Sequence, residues 1–186
     1  MYYFKTNTDV PLEFISAGQF VSNREWVHSK RNLDSYVAIV GVDETLYIAQ
    51  ESEQYEVKPG DVLFLLPNHV HWGYKPCQSG LSYYWFHFYC PRNVQFIEAS
   101  TIHREVKEMR SNPYPLEKSN TAIYIPVYST PKHVERIQIL FTQLLDISRA
   151  NYYNNRVTDY LATLLLIELS EQTITNFYTS FEKNEC

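Results

Sequence analysis

The stretch Tyr55–Gly73 constrains the fold more than any other part of this 186-residue chain. Lys58-Pro59-Gly60-Asp61 is typical of a type II turn, because proline presets φ near about −65° at the second position and glycine accepts positive φ at the third. Val62–Leu66 is an apolar run too short for a helix and is ended by Pro67, which predicts a buried strand. Three side chains suited to contacting a ligand follow this strand: His69, His71 and Trp72.

Further strand patterns recur at intervals of roughly 8 to 12 residues with turn residues between them, which predicts an antiparallel sandwich or barrel. The predicted strands are Phe14–Phe20, Tyr36–Gly41, Thr45–Ala49, Tyr55–Val57, Val62–Leu66, Leu81–Tyr89 and Ala122–Tyr128. Residues 1–10 are expected to form an arm. Residues 91–120 are polar and are expected to be irregular, with a break at Ser111–Pro115.

The strand Leu81–Tyr89 has two different faces, since neighbouring side chains on a strand point in opposite directions. One face carries rings with polar tips, and its residues are Tyr83, Trp85 and His87. The other face is drier and comprises Ser82, Tyr84, Phe86 and Phe88. We expect the first face to line a wet lumen, although the pattern also allows the reverse arrangement or an exposed face.

After Thr130 the hydrophobic period changes to that of a helix. Thr130-Pro131 predicts an N-cap followed by proline at the first helical position. Two apolar stripes, Val134–Ser148 and Val157–Leu169, predict an antiparallel helix pair, the second helix having about 18 residues. Leu164–Ile167 is apolar nearly all round, which fits either a dimer interface or burial within one monomer.

Composition narrows the class of protein. With a net charge of −5, this chain lacks the basic stripe of a nucleic-acid-binding protein. The N-terminus does not read as a signal peptide, and no apolar run approaches the ~20 residues of a membrane span. Cys77, Cys90 and Cys186 are expected to be free thiols in a reducing cytosol, with a Cys77–Cys90 disulfide as the alternative. We therefore expect a cytoplasmic protein.

The motifs of catalysis are weak in this sequence. His69-x-His71 is half of a metal site, but the carboxylate or Gln that should follow is missing and the only later strand histidine is His87. His28 can approach in space only if the fold brings it there. We expect no metal, although His69, His71 and His87 are the candidate ligands, and no other cofactor. Since nucleophile elbows and paired carboxylates are also missing, we expect a protein that is not an enzyme.

Recognition of a small ligand fits the residues better. Trp72, Tyr83 and Trp85 offer flat apolar faces, and Arg31, His71 and His87 offer hydrogen-bond donors. This combination suits a small polar, ring-shaped ligand such as a sugar. Arg31 fits equally well as a solvated surface residue.

The order of motifs resembles the N-terminal regulatory domain of AraC-family transcription factors. The resemblance covers residues 26–88 and is carried by Trp26-x-His28-x-x-Arg31, Pro59-Gly60-Asp61, Pro67-x-x-x-His71 and Trp85-Phe86-His87-Phe88. It implies a cupin-like β-barrel (jelly roll) that binds an effector, so we expect a mainly β fold with C-terminal helices. It also implies that Arg31, Tyr83 and Trp85 occupy effector-contacting positions of the arabinose-binding member, and that Trp72 lies beside another.

The resemblance further implies a division of the chain. Residues 1–128 are expected to form the effector-binding barrel and 129–175 a linker and dimerisation helix pair, with a homodimer formed through residues 131–172. Residues 176–186 would lead to a DNA-binding domain that this sequence lacks, so that DNA is contacted only through that absent domain. The alternative is a stand-alone metal-dependent cupin enzyme, an isomerase or a dioxygenase.

Overall fold

The computed structural model of the chain describes residues 2–111 and 121–182. The strands are β1 (Tyr2–Asn7), β2 (Glu13–Val21), β3 (Arg31–Asn32), β4 (Tyr36–Asp43), β5 (Leu46–Gln50), β6 (Glu53–Val57), β7 (Val62–Leu65), β8 (Val70–Trp72), β9 (Ser82–Tyr89), β10 (Gln95–Glu98), β11 (Ala122–Pro126) and β12 (Tyr128–Ser129). The helices are α1 (Ala99–Ser111), α2 (Val134–Arg149) and α3 (Val157–Glu182). The protein is therefore mainly β with C-terminal helices, as expected.

Two antiparallel sheets face each other and form the body of the domain. The five-stranded sheet has the order β12-β7-β4-β9-β2, and the four-stranded sheet has the order β3-β8-β5-β6. Apolar side chains from both sheets, among them Ile39, Leu63, Ile48 and Val57, form one buried cluster between them. The two sheets do not join by hydrogen bonds into a continuous barrel among the described residues.

The N-terminal segment and the polar region after β9 form a third sheet. Residues 2–7, expected to be part of an arm, form β1, which lies between β10 and β11 and buries Tyr3 and Phe4. Residues 95–111, expected to be irregular, form β10 and α1, and α1 buries Ile102 and Val106, which lie one helical turn apart. The expected break at Ser111–Pro115 falls largely outside the described residues.

The helix pair covers the outer face of the five-stranded sheet. Phe141 of α2 stacks on Tyr84 of β9, with ring centroids 5.3 Å apart, and also contacts Phe86. Leu165 and Leu166 of α3 are buried in the same cluster. The second helix is 26 residues long rather than about 18, because beyond the predicted stripe Ile174 and Phe177 pack against the apolar cluster of the third sheet and α1. No helix in the described segments has the length and hydropathy of a membrane span.

The predicted turn is confirmed, but the predicted helix start is wrong. Gly60 has φ of +88°, and the N–H of Asp61 donates to the Lys58 carbonyl at 2.9 Å. The buried Asp61 carboxylate accepts hydrogen bonds from the Tyr128 hydroxyl and the Thr130 hydroxyl, both at 2.6 Å. Since Asp61 takes the Thr130 hydroxyl, that group caps no helix, and α2 begins at Val134 after an N-cap at 133.

The two cysteines within the described residues are free thiols. Cys77 is buried, and its Sγ accepts the N–H of Tyr47 at 3.4 Å. Cys90 lies beside Thr6, with 3.3 Å between Sγ and Oγ1. The alternative of a Cys77–Cys90 disulfide is therefore wrong, and Cys186 lies outside the described residues.

Candidate functional site

Strand β9 presents its two faces to two different environments. Tyr83 and Trp85 join the apolar cluster between the two sheets, while Phe86 and Phe88 belong to the cluster under the helices. His87 shares the face of Tyr83 and Trp85 and lies opposite Val37 of β4. The polar-tipped face therefore looks into the sandwich, as its alternation predicted.

A row of polar side chains crosses the four-stranded sheet opposite β9. Arg31 of β3 pairs with His71 of β8, His71 pairs with Gln50 of β5, and Gln50 pairs with Glu53 of β6. Directly paired residues on neighbouring strands project from the same face of a sheet. The row thus places a cation, an imidazole, an amide and a carboxylate along one line across the inner face.

His71 is the most enclosed polar residue of this row. Only 2% of its surface is exposed, and its Nδ1 has no hydrogen-bond partner among the described residues. Burial lowers the pKa of His71. The main chain of His69 raises this pKa by a smaller amount, and the charge of Arg31 lowers it further. His71 is therefore neutral at pH 7 and carries a buried ring nitrogen that needs a partner.

His28 adds a second buried imidazole, with ring centroids of His28 and His71 5.4 Å apart. Its Nδ1 lies 2.8 Å from the Ser29 carbonyl oxygen, so this nitrogen is the donor in the neutral ring. Burial lowers the pKa of His28 to about 4, although the hydrogen bond to Ser29 raises it. His71 and Arg31 lower it further by smaller amounts. Sequence spacing gave no sign of this contact, because the β8 and 26–28 segments meet only through the fold.

His87 lies across the interior from His71. Its Nδ1 is 3.2 Å from Oγ of Ser35, and its ring stands edge-on to Trp85 with centroids 5.2 Å apart. Burial lowers the pKa of His87, and electrostatic repulsion from Arg31, and from His71 when its ring is protonated, lowers it further. Three neutral imidazoles thus lie within electrostatic reach of one arginine.

Trp85 owes its position to a glycine on the neighbouring strand. Gly18 of β2 pairs with Trp85, and a Cβ placed on Gly18 would lie 2.6 Å from Cζ2 of the indole. Such a separation is far below van der Waals contact, so only glycine lets the indole lie across β2. The sequence showed this glycine but not its partner, which depends on the β2–β9 register.

Arg31 has no carboxylate partner among the described residues. Its Nε donates to Oγ of Ser29 at 3.3 Å, and its side chain is exposed. The same charge disfavours protonation of His28, His71 and His87. A guanidinium without an anion beside neutral imidazoles leaves donors available to a ligand.

The remaining predicted site residues are placed differently. Tyr83 is only 5% exposed and stacks on Phe20 with centroids 5.1 Å apart, and burial raises the pKa of its hydroxyl. Trp72 occupies the opposite face of β8 from His71, and Nζ of Lys30 lies 6.0 Å from its ring centroid. Tyr83 is thus a wall of the interior, while Trp72 does not join the group.

His69 also lies apart from the other candidate metal ligands. It is exposed, and its Nδ1 lies 2.8 Å from the Pro67 carbonyl oxygen. Among residues 2–111 and 121–182, no three His, Cys, Asp or Glu side chains are grouped so as to hold a metal ion. The trio of His69, His71 and His87 is therefore not assembled in this structure.

Comparison with known proteins decides the family. The family model described as "AraC-like ligand binding domain" matches residues 17–169. The chain belongs to the AraC-like ligand-binding domain family. This domain is the effector-binding part of transcriptional regulators, so the resemblance noted in the sequence is confirmed.

Individual relatives of this AraC-like domain are distant or short. An uncharacterised HTH-type transcriptional regulator, YisR of Bacillus subtilis, is 35% identical over 75 residues, which are 40% of this chain and 26% of YisR. ToxT of Vibrio cholerae matches 89% of this chain and 58% of its own, with 6% identity and a TM-score of 0.40. A putative mannose-6-phosphate isomerase from Ralstonia eutropha matches 42% of this chain and 83% of its own, with 12% identity and a TM-score of 0.37.

Proposed function

We propose that the domain senses a small polar effector, a carbohydrate, which binds between the two sheets. The contacts would come from Arg31 and His71 on one sheet and from Trp85 and His87 on the other, with Tyr83 as a buried wall. The observation that carries this proposal is the buried Nδ1 of His71, which lacks a partner and lies beside an arginine without a carboxylate.

The chemistry of these groups suits sugar hydroxyls. A neutral imidazole offers one donor and one acceptor, and a guanidinium offers several donors in a fixed plane. The lowered pKa values of His71 and His87 keep both rings neutral near pH 7. The Trp85 ring supplies the flat apolar surface that a sugar ring needs. Trp72 is not part of the proposed site, because it lies on the outer face of β8.

We infer that the domain works as a homodimer through residues 131–172, in the cytoplasm. Ile139 of α2 is 58% exposed, and Tyr160 and Leu164, one turn apart on α3, are 62% and 46% exposed. These side chains lie on the helix faces that point away from the sheet, and the opposite faces already fill the core. Exposed apolar side chains grouped on a helix favour a second surface to cover them. DNA would be bound by another domain of a longer regulator.

We also infer that the domain does not catalyse a reaction. The four residues of the proposed contact set include no carboxylate to act as a general acid or base, and the candidate metal ligands are spread over two places. Metal analysis of the purified protein tests this inference. A stoichiometric transition metal that is lost in His71→Ala would favour the cupin enzyme instead.

A thermal-shift screen of neutral sugars and sugar acids tests the sensing proposal. A ligand at ~100 times its dissociation constant stabilises the folded state by about 2.7 kcal/mol. We expect Trp85→Ala and His71→Asn to weaken the shift, whereas Trp72→Ala, which removes an indole of the outer face, leaves it unchanged. If no sugar shifts the melt, or if all three variants respond as the wild type does, the proposal is wrong.

A further inference from the structure

A second cavity lies at the edge of the sandwich formed by β6 and β12, next to the N-terminal sheet. We call it the β1–β6 cleft; its volume is about 720 Å³, within the range of small-molecule sites. Tyr2 of β1, Phe96 of β10, Tyr55 of β6 and Tyr128 of β12 line it. None of the residues assigned to the sensing site, His71 and Trp85 included, lines this cleft.

Aromatic rings form most of the apolar wall of the cleft. Tyr55 and Tyr128 lie with their ring centroids 5.8 Å apart and tilted by 40°. Phe96 packs edge-on against the buried Phe4, with centroids 6.4 Å apart, and is itself partly exposed. Rings that come from separate strands and stay partly exposed offer π faces to a bound molecule.

The charge of the cleft is negative and unbalanced. Glu51 and Glu53 line it, and none of its described lining residues is a lysine or an arginine. One oxygen of Glu51 accepts the N–H of Val70 at 2.9 Å, and Glu53 forms no ion pair within the described segments. Carboxylates beside π faces favour a cation that has an apolar body.

A buried amide supplies the polar contact that a ligand would complete. Gln50 lines the cleft although only 6% of its surface is exposed. Its Oε1 accepts the N–H of Leu66 at 2.6 Å, while its Nε2 has no hydrogen-bond partner among the described residues. This NH₂ group is therefore a free donor at the cleft, next to the Glu53 position on β6.

We propose that the β1–β6 cleft is a second ligand site, which binds a small organic ammonium ion with a flat apolar body and one hydrogen-bond acceptor. The ammonium group lies near Glu51 and Glu53, the flat body contacts the aromatic walls, and the acceptor meets the Gln50 amide. This site borders the sensing site, because Gln50 pairs with His71, but it shares no residue with the contact set proposed there. Binding at the cleft requires no particular effector at the sensing site.

Titration calorimetry with three probes of one skeleton tests the charge preference. Tyramine carries the amine, 4-ethylphenol is its neutral counterpart, and 3-(4-hydroxyphenyl)propionate is its acidic counterpart. We expect the binding order tyramine, then 4-ethylphenol, then the acid. Equal binding of tyramine and 4-ethylphenol, stronger binding of the acid, or no binding of tyramine at millimolar concentration would each overturn the proposal.

Matched variants locate the binding. Glu53→Gln should weaken tyramine binding about fivefold, and Phe96→Ala roughly threefold. Glu56→Gln is the control, because Glu56 lies on the same strand but on its other face, where it pairs with Lys75 at 3.5 Å. Trp85→Ala should keep tyramine binding. Loss of binding in Trp85→Ala or in Glu56→Gln, or full binding in Glu53→Gln, would show that the amine binds elsewhere.

Discussion

Lowering the pH should destabilise the domain through its buried histidines, and His28 should account for a measurable share. The pKa of His28 falls from 6.5 to about 4 on folding, because burial disfavours the charged ring. A group whose pKa is lowered in the folded state contributes stability that is complete above its unfolded pKa. That contribution is lost as the pH falls from about 6.5 towards 4, since the unfolded chain binds the proton first.

The expected size follows from the pH interval between the two states. A pH of 5 is about 1.5 units below the pKa of His28 in the unfolded chain, and each unit corresponds to about 1.36 kcal/mol. His28 therefore lowers the free energy of unfolding by about 2 kcal/mol between pH 7.5 and pH 5. His71 and His87 also have lowered pKa values and act in the same direction. The free energy of unfolding should therefore fall by at least this amount between pH 7.5 and pH 5.

Urea unfolding of the wild type and of His28→Gln at both pH values measures this effect. The variant should lose about 2 kcal/mol less than the wild type between pH 7.5 and 5, whatever its stability at pH 7.5. His133→Gln removes an exposed imidazole and should behave as the wild type. If His28→Gln is too unstable, the pKa of the His28 ring can be followed directly by NMR. A loss of stability between pH 7.5 and 5 that is as large in His28→Gln as in the wild type, or a His28 ring that titrates near 6.5, would show that burial does not lower the pKa of His28.

Three further perturbations follow from single contacts. Gly18→Ala should displace the Trp85 indole, cost about 1 to 3 kcal/mol of stability and weaken effector binding, as urea unfolding and indole fluorescence will show. Asp61→Ala should destabilise the domain by about 2 to 4 kcal/mol in urea unfolding, because the hydroxyl and N–H groups that donate to the carboxylate would lose their acceptor. Leu164→Glu should convert a dimer to a monomer in light scattering while the circular dichroism spectrum stays unchanged.

Each of these perturbations has an outcome that contradicts it. Asp43→Ala removes an exposed carboxylate at the end of β4, so a stability loss equal to that of Asp61→Ala would show that the Asp61 contacts are unimportant. An unchanged Trp85 emission in Gly18→Ala would mean that the indole does not lie across β2. A wild-type protein that is monomeric at high concentration would contradict the dimer proposal, and Leu164→Glu would then not be needed.

The parts of the fold that local sequence determines were predicted well. The turn at Lys58–Asp61 depends on the φ preferences of one proline and one glycine, and the structure has the positive φ at Gly60. The two faces of β9 follow from strict alternation, which separates Trp85 from Phe86, although the alternation alone left open which face turns inward. Short-range periodicity therefore gave strands such as β4, β7 and β9, but it did not give β1, β3, β8 or β10.

The candidate site depends on contacts that local sequence does not determine. The row from Arg31 through His71 to Gln50 exists because β3, β8 and β5 pair in one register, and a shift by one residue would turn every side chain to the other face. No sequence pattern around Gln50 predicted a place in the site, and none predicted the contact between His28 and His71. Pairing between distant strands, rather than any motif, assembles these groups.

Two errors have a common physical cause, which is competition between local and distant partners. Thr130 has the sequence context of an N-cap, but the buried Asp61 carboxylate accepts its hydroxyl. Helix α1 has few apolar residues, so the helical period of its hydrophobic residues is weak in the sequence. In the structure, Ile102 and Val106 alone suffice to bury one side of this helix. In both places the tertiary contact outweighs the local preference.

Nitrogen NMR of the imidazole side chains offers the most direct test of the sensing site, once the thermal-shift screen has supplied a ligand. We expect the largest ¹⁵N change on binding at Nδ1 of His71, because this buried nitrogen gains the hydrogen bond that it lacks. His87 should respond less, and His69 on the outside should not respond. A saturating ligand that leaves the His71 nitrogens unchanged would contradict the claim that the effector binds between the two sheets.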